Sequence, residues 1–261
     1  MSTENKEILP NITNIKAQET YTLPSKGLLY GPQDNIPASI TLRRMTTKEE
    51  KIRIRNQGED RIRRDLLQAC IVEDIDAGKL KLEDANYLLF KLRVLSLLDD
   101  TYKIHCMCPS CRTEFIHKIN LSEIPIKYSN EEQLQEFHIE LPVSGAKIDL
   151  KSPSLNDIIM MGDKLKDYVA RFPQIDRGEI LYTLSTLIYI DKINGHNLIS
   201  DELEVYLDKL DIIDMRVLKD SVATIDNLYG FDDELKTKCP NCKFEVTHGL
   251  PITGELFNPS K

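Results

Sequence analysis

The sequence predicts a mainly α-helical fold with small β elements, built as two loosely repeated halves joined by a shared Cys₄ zinc ribbon. Helical spacing of apolar residues over much of the chain predicts the helices. Two decapeptides, at residues 108–117 and 239–248, follow one pattern, C-P-x-C-[RK]-x-E-[FV]-x-H, at an offset of 131 residues (239 minus 108). The elements that precede each decapeptide recur in a similar order, which predicts the two halves.

The chain divides into three predicted segments. Residues 1–20 carry few large apolar side chains and are expected to form a flexible N-terminal arm. The first half, 21–140, contains a strand, helices and the first cysteine knuckle, and the second half, 141–261, contains helices and the second knuckle. The alternative to a duplication is a single irregular domain whose two knuckles were selected separately.

In the first half, alternating apolar residues at 39–43 predict a strand. A cap at Thr46 or Thr47, with Glu49 or Glu50 three residues later, predicts the start of a helix through a capping box. The next helices are predicted at about 60–77 and 83–98, and the first cysteine pair follows them.

The second half repeats this order. The L-P-V-S-G segment at 141–145 echoes L-P-S-K-G at 23–27, and I-D-L-K at 148–151 echoes I-T-L-R at 40–43. Ser154 then caps a helix with an apolar face. The remaining helices are predicted at about 177–190, 201–210 and 214–229.

The two decapeptides predict one metal site with four cysteine ligands. A two-residue gap lets both thiolates of a tight turn face one ion, and two such turns complete a tetrahedral shell. The basic residue after each pair offsets part of the thiolate charge. The predicted ligands of a structural Zn²⁺ are Cys108, Cys111, Cys239 and Cys242. A closed shell leaves no position for a substrate. The rival interpretation, a dithiol redox pair, would need a helix after each pair, where the sequence reads as strand.

Other cysteines and histidines are expected to be bystanders. Cys106 lies two residues before Cys108, but only Cys108 matches the second decapeptide. Cys70 falls in a helical apolar stripe, which favours a core position. His117 and His248 are equivalent strand residues; the alternative is that they bind a second ion or replace a cysteine. The sequence leaves open whether zinc or iron is bound.

A densely basic stretch is interleaved with acidic residues, which favours a solvated helix face whose charges pair with one another. The alternatives are a surface for an acidic protein and, less favoured, for nucleic acid. The basic residues are Arg43, Arg44, Lys48, Lys51, Arg53, Arg55, Arg61, Arg63 and Arg64.

The composition, 41% hydrophobic and 29% charged over 261 residues, is that of a soluble globular protein with one large core or two small ones. A net charge of −8 argues against a general nucleic-acid binder. No apolar run approaches the roughly 20 residues that span a bilayer, and the first residues lack the features of a secretory signal. Paired C-x-x-C motifs favour a bound metal over disulfides. Since cysteines stay reduced in a cytoplasm, we expect the protein to fold there.

The chain contains none of the common phosphate-loop, zinc-protease or serine-hydrolase motifs. The stretch 191–202 has acidic residues at both ends of a calcium loop, but Ile193 and His196 occupy positions that need a ligand and a glycine. Asn194 and Gly195 instead predict a tight hairpin turn. We therefore expect a protein that is not an enzyme and takes no small-molecule substrate.

Two early segments, L-P-S-K-G-L-L-Y at 23–30 and I-T-L-R-R-M-T-T-K-E-E at 40–50, together with the chain length, resemble the T-even-type phage baseplate hub assembly family. The resemblance is best over residues 21 to 60. It implies a non-enzymatic role in the assembly or structure of the central hub of a contractile tail's baseplate. The implied partners are other hub or tail proteins. The implied locations are the host cytoplasm during assembly and the virion tail, if the protein is retained there.

The competing class is a zinc-ribbon nucleic-acid-binding or transcription-associated protein. Salt-dependent binding to DNA would favour that class, whereas association with tail proteins would favour the hub. The sequence specifies neither the partner within the hub nor the oligomeric state.

Overall fold

A computed structural model describes residues 17–55, 57–231, 235–249 and 254–257 of the chain. Within these ranges the chain forms seven α-helices and eleven short strands. In chain order they are β1 (Gln18–Thr22), β2 (Ser39–Arg43), α1 (Thr47–Arg53), α2 (Glu59–Cys70), α3 (Leu82–Leu97), β3 (Thr101–Met107), β4 (Glu114–Asn120), β5 (Ile126–Lys127), β6 (His138–Glu140), β7 (Lys147–Leu150), α4 (Leu155–Arg171), α5 (Arg177–Leu187), β8 (Ile190–Ile193), α6 (Ser200–Asp208), α7 (Ile212–Asp226), β9 (Gly230–Phe231), β10 (Leu235–Lys238) and β11 (Glu245–His248). The fold is therefore mixed α/β, with more strand than the mainly α prediction allowed.

Several predicted elements of the first half are confirmed. The strand at 39–43 is β2, and the helix that follows begins after Thr46. The backbone N–H of Thr46 donates to Oε2 of Glu49 at 2.8 Å, which completes the capping box. The two longer predicted helices correspond to α2 and α3, although α2 ends at Cys70, earlier than expected.

The last residues of the predicted N-terminal arm, 1–20, lie in a strand. Gln18–Thr22 forms β1, which pairs antiparallel with β2, so the last residues of the predicted arm belong to a sheet. Residues 1–16 lie outside the described part of the chain.

Each half has its own apolar core. In the first half, β2 and the helices α2 and α3 bury leucines that include Leu42, Leu67 and Leu88, all without solvent exposure. In the second half, β7, β8 and α7 enclose a core that includes Ile148 and Leu218. Burial of this apolar surface is the main favourable contribution to folding, at about 25 cal/mol per Å².

A buried aspartate holds the L-P-x-x-G turn of each half. The N–H of Ser25 donates to Oδ1 of Asp84 at 2.9 Å, and the N–H of Val143 donates to Oδ1 of Asp214 at 2.8 Å. Ser25 and Val143 are the third residues of their turns, and each aspartate is the third residue of its helix, α3 or α7. The glycine that ends each turn has a positive φ, 78° in the first half and 64° in the second. The two turns are therefore built in the same way.

The elements around these turns also recur. The strands on either side of the turn pair antiparallel, β1 with β2 and β6 with β7. The second strand of each pair leads through a capping box, at Thr46 or Ser154, into a helical hairpin. After the hairpin the chain pairs with that second strand. In the first half the pairing is a single bridge at Ile71, and in the second half it is the strand β8. Helix α6 follows β8, at a point where the first half has only a short 3₁₀ turn.

The two halves meet at the starts of α3 and α4. The N–H of Leu82 donates to the carbonyl of Pro153 at 2.9 Å, and the N–H of Leu155 donates to the carbonyl of Leu80 at 3.0 Å. After α7 the chain crosses to the first core, where β9 pairs with β5 and Phe231 packs against Phe90 with ring centroids 4.8 Å apart.

The end of the chain is fastened to the first core. Leu256 is 1% exposed, and its carbonyl accepts a 2.6 Å hydrogen bond from Nε of the buried Arg93. The same guanidinium donates to the carbonyl of Asp99, which follows α3, and to that of Thr101, the first residue of β3. Arg93 therefore joins the last described segment to the start of the hairpin formed by β3 and β4.

Across the described residues, none of the helices combines the length and apolar character that crossing a membrane requires.

Candidate metal centre

Two antiparallel hairpins position the cysteine knuckles. Strands β3 and β4 pair from Thr101 with Asn120 to Met107 with Glu114, and the first knuckle is the loop between them. Strands β10 and β11 pair from Leu235 with His248, and the second knuckle closes that hairpin. The strand character expected after each cysteine pair is confirmed, which argues against the redox interpretation because a redox pair begins a helix.

The two knuckles have the same backbone. In the first, the N–H of Cys108 donates to the carbonyl of Thr113, and the N–H of Arg112 donates to the carbonyl of Cys108, at 3.0 and 2.8 Å. In the second, the N–H of Cys239 donates to the carbonyl of Phe244 at 2.9 Å, and the N–H of Lys243 donates to the carbonyl of Cys239 at 3.0 Å. The basic residue after each pair has a left-handed φ, 58° in the first and 63° in the second. This conformation turns both thiols of a knuckle to one side.

The four predicted ligands lie together. Their Sγ atoms are all within 4.8 Å of one another, and the contacts between halves, Cys108 with Cys242 and Cys111 with Cys239, are both 3.6 Å. A tetrahedral Zn²⁺ with Zn–S bonds of about 2.3 Å would separate its sulfurs by about 3.8 Å. The thiols therefore have the spacing, number and chemistry of a site that could hold one metal ion.

The four thiols differ in their exposure to solvent. Cys108 and Cys239 are fully buried and pack with Val246, whereas Cys242 is exposed. The hydroxyl and backbone N–H of Thr113 lower the pKa of Cys111 to about 6. At Cys242 the N–H of Phe244 lowers the pKa, but burial and the neighbouring thiols outweigh it and raise the pKa to about 11. Four adjacent thiols cannot all ionise without a cation, and a metal ion would remove that repulsion.

The equivalent histidines of the two decapeptides contact each other. Nδ1 of His117 lies 2.9 Å from Nε2 of His248, and the rings are edge to face at 5.1 Å. Nδ1 of His248 also lies 3.1 Å from the carbonyl of Gly249, so this nitrogen donates and Nε2 accepts from His117. Burial and the neighbouring ring lower the pKa of His117. The pair therefore forms a second link between the hairpins, outside the thiol cluster.

The remaining cysteines lie outside the cluster, as expected. Cys70 is fully buried in α2, and burial raises its pKa to about 12. Cys106 is 7% exposed, belongs to the first core and donates its thiol to the carbonyl of Ile104. Neither is therefore positioned as a ligand.

The basic stretch is largely neutralised within the chain, which confirms the self-paired interpretation for most of its arginines. Arg61 and Asp163 form a bidentate pair, with distances of 3.0 and 2.6 Å, that also joins the two halves. The other ion pairs are Arg43 with Glu49, Arg53 with Glu50, Arg55 with Asp65, Arg63 with Glu59 and Asp60, and Arg64 with Asp65.

The stretch that resembles a calcium loop is a hairpin. Asn194 and Gly195 have positive φ values of 51° and 78°, and Ile193 and His196 exchange two backbone hydrogen bonds of 3.0 Å. The predicted tight turn is confirmed.

Three structural details of the scaffold were not predicted from the sequence. These are the contact between His117 and His248, the buried Arg93, and the aspartates that hold the two turns. The sequence did contain a signal for the aspartates, because they lie at nearly the same distance before the two knuckles. Asp84 precedes Cys108 by 24 residues, and Asp214 precedes Cys239 by 25 residues. No such repeat marks Arg93.

Comparison with known proteins agrees with the family resemblance of the early segments. The family described as T4 bacteriophage base plate protein matches residues 16–258, which includes both knuckles. No curated protein and no solved structure matches the chain. Because the match covers nearly the whole chain, the protein belongs to the T4 bacteriophage base plate protein family.

Proposed function

We propose that this baseplate protein is a non-enzymatic component or assembly factor of the central hub, and that it acts through contacts with other hub or tail proteins. The family match supports a baseplate role, and the thiol cluster supports a rigid scaffold. Assembly would take place in the host cytoplasm, and retention would place the protein in the virion tail.

A structural Zn²⁺ bound by Cys108, Cys111, Cys239 and Cys242 completes the proposal. The single observation that carries it is the convergence of four thiols from both halves within 4.8 Å. A shell with four protein ligands has no open position, so the ion would stabilise the fold rather than bind a substrate. Its ligands lie far apart in the chain, so metal binding would be coupled to the packing of the two hairpins.

We further propose that the two halves, 21–140 and 141–261, arose by duplication. Support comes from the matching knuckle backbones and from the equivalent contacts of Asp84 and Asp214 with their turns. If so, reconstructed ancestral sequences of the family should have halves that resemble each other more than the present ones. Ancestral halves that are no more alike would contradict a duplication.

The test of the hub role is purification of the tagged protein from infected cells, followed by mass spectrometry. We expect other hub or tail proteins to co-purify, and elemental analysis should give one zinc per chain. Association with no baseplate component would refute the hub role, and a folded protein without metal would refute the zinc site.

The alternative of a zinc-ribbon nucleic-acid-binding protein has less support. The arginines that would contact phosphates are mostly paired with carboxylates of the same chain, and the net charge is −8. Binding to DNA whose affinity falls steeply with added salt would nevertheless favour that class over the hub.

A further inference from the structure

We infer that the open edge of β1 pairs with the same edge of a second copy of this chain, antiparallel and about a twofold axis at Thr20. The two-stranded sheets of the two copies would then join into one four-stranded sheet, in the order β2, β1, β1 and β2. The inference concerns association of the chain with itself, so it goes beyond the proposed hub role and does not depend on it.

The backbone of β1 has hydrogen-bonding groups on one side that β2 does not use. At the two ends of β1, the carbonyl of Ala17 accepts a 3.1 Å hydrogen bond from the opposite segment, and the N–H of Leu23 donates one of 2.9 Å to it. In an antiparallel pair, residues that form such hydrogen bonds alternate with residues that do not. The N–H and carbonyl groups of Gln18, Thr20 and Thr22 therefore point away from β2.

Among the described residues, this sheet is closed on the side of β2 and open on the side of β1. The N–H of Thr41 in β2 donates to the carboxylate of Glu73 at 2.9 and 3.0 Å, and the carbonyl of Thr41 accepts from the N–H of Val72 at 3.0 Å. The outward backbone groups of β1 have no such partner, and the three residues that carry them are exposed. An unpaired strand edge of this kind is a template for another strand.

The strand β1 also lacks the features that usually protect an open edge. Protected edges carry a lysine, a proline or a bulge, or are very short. β1 has five residues, Q-E-T-Y-T, and pairs with β2 in one continuous register. The corresponding edge strand of the second half, β6, has only three residues and exposes His138 and Glu140. The edge of β1 is therefore the better of the two for pairing with another strand.

The β1 edge is complementary to itself when two copies pair about Thr20. Thr20 would lie opposite Thr20 of the second copy, and Gln18 opposite Thr22, so the outward residues would exchange about six backbone hydrogen bonds. No like charges would lie opposite each other in this pairing. The hydroxyls of Thr20 and Thr41 are 2.9 Å apart, and this row of threonines would continue into the second copy.

The charges beside β1 also favour a second copy. Nζ of Lys91 lies 5.7 Å from the centre of the Tyr21 ring, and within the described part of the chain it has ring contacts but no ion pair. In the twofold pairing, the exposed Glu19 would lie opposite Tyr21 of the second copy and so approach that copy's Lys91. The symmetry makes this approach twice. Lys26, the nearest described lysine along the chain, is directed at the ring of Tyr128 instead.

The size of the contact sets how tightly the two copies associate. Two five-residue strands form a small interface, so we expect a weak dimer whose population depends on concentration. A strand from a different protein is the competing occupant, because it could satisfy the same backbone groups. The experiment below distinguishes the two.

Thr20 is the residue to substitute, because it would lie opposite itself on the twofold axis. Thr20→Lys and Thr20→Glu each place like charges across the axis, so neither variant alone should dimerise. An equal mixture of the two should form a heterodimer through a lysine–glutamate pair. The matched control is Thr22→Lys, which adds the same charge to the same strand opposite the neutral Gln18. Both positions are exposed, and circular dichroism checks that the variants keep the fold.

Association of the purified, full-length protein is measured by sedimentation velocity over a roughly hundredfold range of concentration. We expect the wild type to dimerise at the upper end of this range. The dissociation constant of Thr22→Lys should lie within about threefold of the wild-type value, and those of Thr20→Lys and Thr20→Glu should be at least about tenfold higher. The equal mixture should recover the dimer.

Three results would overturn the inference. The first is a wild type that stays monomeric throughout the range, and the second is a dimer that Thr20→Lys leaves unchanged. The third is loss of the dimer in both Thr20 variants without recovery in their mixture, because pairing about Thr20 requires that recovery. A monomeric wild type that binds a baseplate protein in infected cells, with binding lost in Thr20→Lys, would assign the edge to a strand of that protein instead.

Discussion

Substitution Cys239→Ser should remove the metal and lower the stability of the whole protein, not only of one loop. Cys239 is fully buried, and its Sγ lies 3.6 Å from that of Cys111 in the other half. A serine hydroxyl is a poor zinc ligand at neutral pH because, unlike a thiol, it does not ionise there. Losing one of four ligands would therefore break the link between the two hairpins.

The magnitude follows from the coupling between metal binding and folding. An ion that binds only the folded state stabilises it by RT ln(1 + [Zn²⁺]/Kd), which is about 4 kcal/mol at a zinc concentration roughly 1,000 times Kd. For a chain of this size, each kcal/mol corresponds to roughly 2–4 °C in Tm. The expected decrease in Tm is therefore roughly 8–16 °C.

The assay combines elemental analysis with thermal unfolding followed by circular dichroism. Cys106→Ser is the matched control, because it makes the same change two residues from a ligand but outside the cluster. Cys242→Ser is the sharper companion. Its side chain is exposed, so without a metal its substitution would leave Tm nearly unchanged, whereas with one it should match Cys239→Ser.

Wild-type zinc content and Tm in Cys239→Ser or Cys242→Ser would refute a metal link between the two hairpins. A decrease in Tm for Cys239→Ser alone, with Cys242→Ser like the wild type, would show that burial of Cys239 matters and that a metal link does not.

Three further predictions test the scaffold. The pKa of His117 in the folded protein lies below its ordinary value near 6.5, so the unfolded state binds more protons at lower pH. The contribution of His117 to the free energy of unfolding is therefore present above about pH 6.5 and is lost as the pH falls. Between pH 7.5 and pH 5.5, the free energy of unfolding measured in urea should decrease less for His117→Gln than for the wild type. Arg93→Met removes hydrogen bonds to three backbone carbonyls, including the buried one of Leu256, and should cost about 3 kcal/mol or more in urea unfolding; a loss below 1 kcal/mol would contradict its anchoring role. Gly27→Ala should lower Tm more than Gly145→Ala, since both have positive φ but only at Gly27 would the new methyl approach a backbone atom, at 3.2 Å; equal decreases would show that the two turns are packed alike.

The parts of the fold that could be predicted are those with local causes. The capping box at Thr46 and the helix cap at Ser154 depend on side chains at most three residues apart, and the turn at Asn194 and Gly195 depends on two positive φ values. The thiol cluster forms over a long distance, but its pattern occurs twice in the sequence. Because the same pattern occurs twice, each cysteine pair indicates the other as its partner. The sequence alone was therefore enough to predict that these four cysteines lie together.

The details that could not be predicted depend on long-range packing. Strands β5 and β9 were not anticipated because they have two residues each and exist only through their pairing across the chain. The role of Arg93 depends on carbonyls of Asp99, Thr101 and Leu256 that converge only after folding. An arginine in the middle of a helix carries no local signal of such partners, so burial of this charge was not anticipated.

The path of the chain after α7 explains how the second knuckle is held. Phe231 before the second knuckle and Leu256 after it are both held in the first core, so the second knuckle is fastened on either side to the opposite half. Loss of the proposed metal should therefore loosen the contact between the two hairpins without releasing the second hairpin from the first core. In the first half, by contrast, the segment after the knuckle folds back through Ser129 onto the turn of that same half. The described segment after the second knuckle packs on the first core instead, so the two halves are joined by the chain itself as well as by the thiol cluster.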